Sequence, residues 1–113
     1  MAVSAELKKT IRAELFRCAI RGQFLTYTNF YNHIRPGATM GNFPYQRHFD
    51  EIAKEERSHG YPDITFLVHG VDGFPRQVDF RPFDRNDSKQ VASLRRGTDD
   101  VISMYCPNAT NPY

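Results

Sequence analysis

The sequence predicts an α+β fold in one domain, and three observations carry that prediction. Apolar residues recur at helical spacing in two long segments, 5–21 and 44–58. Short aromatic and β-branched runs, bounded by glycine and proline, lie between and after them and are too brief to be helices. The chain has 113 residues, 40% hydrophobic and 25% charged, which suits a single modest core.

Taken in order, Ser4 can cap the first helix, and Glu6 in its first turn favours the helix dipole. Leu7, Ile11, Leu15, Cys18 and Ala19 form its apolar stripe, Phe16 and Ile20 widen it, and Gly22 stops it. Residues 24–27 read as a short strand. Thr28 then caps a short helix to His33 or Ile34, with Phe30 and Ile34 inward, ended by Pro36-Gly37. Pro44 suits the first turn of the helix 44–58, which places Tyr45, Phe49, Ile52, Ala53 and Glu56 on one face before Gly60. Residues 64–69 and 76–80 flank an Asp72-Gly73 turn signal and predict an antiparallel hairpin, with Pro75 keeping the second strand at an edge. Asp87 or Ser88 caps a fourth helix, with Val91 and Leu94 inward, to Arg96. Gly97 ends it, Thr98 caps a last helix over 99–105, and CPNATNPY is a frayed tail. This order is that of a winged helix-turn-helix with a three-stranded antiparallel sheet. The whole chain, 1–113, is then one domain, with its core in 5–83 and a helical addition over 87–105 that can serve a homodimer.

Composition narrows the function classes. No apolar run is long enough to cross a membrane, and MAVSAELKKT carries charges where a signal peptide needs an apolar stretch, so a cytoplasmic protein is expected. Cys18 and Cys106 lie far apart without metal-type spacing, and Cys18 falls on the apolar stripe. The net charge of +2 is uneven: residues 1–49 hold seven Lys or Arg against Glu6 and Glu14, while residues 50–113 hold eight against eleven acids. Arginines outnumber lysines eleven to four, the choice favoured where phosphates or carboxylates are gripped by two donors at once.

Three segments resemble those of a known family. LTYTNFYNHI, QRHFDEIA and YPDITFLVHGVDG are similar, in order and spacing over about residues 24–75, to the DNA-binding domains of O6-alkylguanine DNA alkyltransferases and their non-catalytic alkyltransferase-like relatives. Tyr27 matches the family's tyrosine and Arg47 its base-displacing arginine. Asp63 stands where the nucleophilic cysteine belongs, no His-Arg follows it, and Thr28 replaces a glycine. The resemblance therefore implies a winged-helix fold and DNA binding without alkyl transfer.

On the winged-helix reading, Gln46, Arg47 and His48 enter the major groove at the start of the third helix. Thr28, Asn29 and Tyr31 surround a helix N-terminus suited to phosphate. Lys8 and Arg12 of the first helix, with Arg76 on the wing, add phosphate contacts. The expected function is a non-enzymatic regulator of bacterial or phage type that binds double-stranded DNA. Against it, DEIAKEER puts Asp50, Glu51, Glu55 and Glu56 on the same helix. An alternative is a protein-interaction module, an inhibitor or adaptor, using that acidic face or the C-terminal helices, with Phe43, Tyr45 or Phe74 as anchor. A further alternative is a Mg2+-dependent nuclease with Asp63 and Asp79 as ligands and Glu55 or Glu56 in support, although Arg81 takes the place of the lysine such sites use. No two of the four histidines have zinc spacing, no metal or other cofactor is expected, and no nucleotide or hydrolase motif is present.

Overall fold

The first helix forms as its sequence dictates. In a computed structural model that describes residues 3–113, α1 spans Ala5–Arg21, with the Ser4 hydroxyl accepting the Leu7 N–H and Gly22 closing it in the left-handed conformation. Strand β1 is Leu25–Thr26, α2 Tyr27–Ile34 and α3 Gln46–Ser58. The α2 cap is Thr26 rather than Thr28, so the helix begins at Tyr27. Ile11, Leu15, Phe30, Phe49 and Ile52 from these three helices meet in the main core.

The predicted wing does not form, which overturns the winged-helix fold with its three-stranded antiparallel sheet. Ile64–Leu67 is a 3-10 helix, and only Val68–His69 (β2) is extended, paired in parallel with β1. A half-buried strand alternates its faces, but Phe66, Leu67 and Val68 are all buried in succession. The 3-10 helix packs against α1, α3 and α4 (Ser88–Tyr105) and is capped by Asp63, whose Oδ1 accepts the Thr65 N–H and hydroxyl. The Asp72-Gly73 turn is real, closed by Gly70 N–H to Phe74 O at 2.8 Å. Beyond it the ladder cannot continue, because Pro75 has no N–H and the Arg76 N–H is taken by the Tyr27 hydroxyl at 2.7 Å.

The true hairpin lies further on. Gln77–Val78 (β3) and Arg81–Pro82 (β4) pair antiparallel across Asp79-Phe80, both at positive φ (54° and 65°). The expected break at Gly97 is also absent: α4 is one helix across it, and Thr98 is buried rather than capping. Val101 of α4 enters the main core, while Leu94 joins Phe66 and Val78 in a second cluster. The C-terminal tail is docked. The Tyr113 hydroxyl donates to Phe66 O at 3.1 Å, and Asn111 Nδ2 reaches Arg95 O and the Asp99 carboxylate.

Candidate nucleic-acid interface

Two of the predicted site residues, Thr28 and Arg76, share a cleft that begins at the head of α2. Thr26 Oγ1 accepts the Asn29 N–H at 3.2 Å, which leaves the other first-turn N–H groups of α2 without helical partners. Tyr27 is buried against Phe43, ring centroids 4.6 Å apart. Burial pushes its phenol up to about 12, only partly offset by the Arg76 N–H it accepts, so the hydroxyl keeps its proton and ties segment 70–76 to α2. Between them opens a cleft of about 280 Å3, lined by Thr26, Thr28, Asn42, Gly70, Val71 and Arg76, among others.

The predicted residues separate into two groups. Thr28 and Asn29 are exposed at the start of α2, Arg76 is exposed on the same cleft, and Arg47 is exposed in the first turn of α3. Phe43 and Tyr45 link the heads of α2 and α3 by touching Tyr27 and Tyr31. Tyr31 and His48, by contrast, are buried in the core, and Gln46 is half-buried and donates to Asp50 at 3.0 Å. Lys8 binds Glu51 at 2.9 Å and Glu55 at 2.5 Å, and Arg12 pairs with Glu55 and Glu56. Lys8 and Arg12 of α1 and Glu51, Glu55 and Glu56 of α3 thus neutralise each other, and these two basic residues are not offered to phosphate with Arg76. The same pairs engage three of the four acids, Glu51, Glu55 and Glu56, of the acidic α3 face.

Of the residues lining the cleft, only Thr28 and Arg76 carry the sequence pattern of a site. Nothing local to Tyr27 reveals that its hydroxyl anchors Arg76, 49 residues away. Val71 is 96% exposed at the tip of the 70–74 turn; an apolar residue beside Asp72-Gly73 was the signal available for it.

The two acids of the nuclease alternative do approach each other, but with a cation between them. Arg57 Nη2 lies 2.8 Å from Asp79 Oδ1 and 3.8 Å from Asp63 Oδ2. Burial raises the Asp63 pKa, against the pull of its Thr65 bonds and Arg57. Burial also opposes ionisation of Asp79, but the Ser93 hydroxyl and Arg57 outweigh it and hold that carboxyl below its ordinary value. Among the described residues no three His, Cys, Asp or Glu side chains are grouped to hold a metal ion, and no helix is long and apolar enough to cross a membrane. No protein family, curated protein or solved structure matches this chain.

His48 supplies a pH dependence. Its Nε2 accepts the Ser4 N–H at 3.3 Å, while Nδ1 is buried without a partner. Burial, aided by Lys8 and opposed by Glu51, lowers its pKa. The unfolded chain then binds the proton more tightly than the folded one. Stability should be fully present above about pH 6.5, fall as the pH drops through that value, and level off below the folded pKa. Urea midpoints across this range should show that slope in the wild type and a flatter one in His48→Gln, whose amide oxygen can still accept the Ser4 N–H. Equal slopes would refute the assignment to His48.

Proposed function

We propose that this chain is a non-enzymatic DNA-binding protein, a small cytoplasmic regulator that grips the phosphate backbone of double-stranded DNA at the head of α2. The observation that carries the reading is the cleft in which exposed Thr28 and Arg76 are held together by the Tyr27 hydroxyl on the Arg76 N–H. Hydroxyls, first-turn N–H groups and an arginine are the groups that bind phosphate oxygens. Lys8, Arg12, Tyr31 and His48 have no part in it, being paired or buried.

Titration of a labelled duplex at several salt concentrations tests this. Association should weaken steeply with salt, and Arg76→Ala should reduce the slope of log affinity against log salt by about one. Thr28→Ala should weaken binding and leave the slope unchanged, since it removes no charge. No salt-sensitive association at micromolar protein would rule the reading out.

A further inference from the structure

Large apolar side chains stand exposed together across the C-terminal ends of α1 and α4. Ile20 is 66% exposed, Met104 50% and Tyr61 48%. Tyr61 and Met104 line a groove of about 410 Å3, to which Asp100 also contributes. Ile20 and Tyr105 line a second groove of about 410 Å3, together with Arg21. Met104 and Tyr105 are consecutive in α4, so the two grooves adjoin. Phe16, one turn before Ile20 on α1, joins the helices, its ring edge-on to Tyr105 at 5.6 Å. Apolar side chains exposed singly are ordinary, but a joined set marks a surface that a partner covers. The chain's own tail is held elsewhere, with Asn111 on Arg95 and Asp99 and Tyr113 on Phe66. The charges at the two ends of the face point to the partner. Arg21 stands at the Ile20 end, and Asp100, one turn before Met104, at the other. Both are exposed, and among the described residues neither is in an ion pair.

We propose that this face is the interface of a homodimer, in which two copies of the chain meet about a two-fold axis near Tyr105. Such an axis exchanges the two ends of the face. Arg21 of each copy then meets the partner's Asp100, so the charge pair is made twice, and Ile20 packs on the partner's Met104 and the partner's Tyr61. Opposite charges at opposite ends are what a self-complementary surface requires. A nucleic acid is a poor occupant, because Asp100 repels phosphate and the centre of the face is apolar. Neither groove shares a lining residue with the α2 cleft, so the interface leaves that cleft open and stands or falls independently of DNA binding.

Sedimentation equilibrium of the full chain, from about 1 μM to about 1 mM, tests the proposal. The mass should rise to twice that of the monomer and stop there, since a two-fold interface closes on itself. Ile20→Lys and Met104→Lys alter exposed side chains, so thermal midpoints should stay close to wild type. Each should weaken the dimer by about tenfold or more. Arg21→Glu and Asp100→Lys each bring like charges together twice and should weaken it by about tenfold. The double variant Arg21→Glu, Asp100→Lys restores opposite charges and should return to within about threefold of wild type. A monomer throughout, a mass that climbs past the dimer, unchanged association in both single lysine variants at Ile20 and Met104, or a double charge variant no tighter than the single ones would overturn it.

Discussion

Replacing Arg12 with methionine should destabilise the protein by about 2 kcal/mol, more than any other loss of a surface-reaching charge. Glu56 is 1% exposed, its Oε1 is held by Arg12, and its Oε2 has no protein partner. Removing the guanidinium strands a buried carboxylate, which costs roughly 3–5 kcal/mol when the pair is wholly enclosed. The Arg12 side chain is 37% exposed, so water enters in its place and the lower figure follows. Lys8→Met breaks pairs to Glu51 and Glu55, whose side chains are 45% and 35% exposed, and should cost less than about 1 kcal/mol. The double variant Arg12→Met, Glu56→Leu should recover most of the loss, because apolar replacements of both partners leave nothing unpaired. Urea denaturation of the four proteins decides the matter. Equal midpoints for Arg12→Met and Lys8→Met would show that Glu56 needs no buried counterion.

This charge lattice also explains what could and could not be foreseen. The stripes of α1 and α3 are legible because Ile11, Leu15, Phe49 and Ile52 repeat at the helical period, and burial follows from period. The partners of Lys8 and Arg12 are not legible. Their acids lie 43 to 47 residues away, whereas pairings visible in sequence are those one helical turn apart. The same limit governs residues 64–69. Four apolar residues after Pro-Asp serve a strand or a 3-10 helix equally well, and the choice was made by packing on three sides together with the Asp63–Thr65 bonds. Thr28 and Arg76 at the cleft, and Asn29 beside it in sequence, hold the exposed positions that polar residues beside a helix start and a turn suggest. His48, placed among them by its neighbours Gln46 and Arg47, instead fell on the buried face of α3.

Gly97 is the sharpest instance, since the residue that signalled a helix stop is there to admit an aromatic ring. A Cβ at this position would sit 2.4 Å from Phe66 Cε2 and 2.9 Å from Cδ2. In an exposed helix, Gly→Ala gains about 1 kcal/mol. Here the ring cannot retreat, being packed with Val78 and Leu94 in the second core while its own carbonyl holds the Tyr113 hydroxyl. Overpacking of about 2–3 kcal/mol therefore exceeds the gain. Gly97→Ala should destabilise by about 1 to 2 kcal/mol, and Gly97→Val by about 3 kcal/mol, with more bulk to place and less propensity to recover. Pairing Gly97→Ala with Phe66→Leu should restore part of the stability by vacating the space the methyl needs, although Phe66→Leu alone is destabilising. A Gly97→Ala protein more stable than wild type would mean that the ring yields at no cost. The glycine would then be a weak point in α4 rather than the contact that brings α4 and the 3-10 helix together.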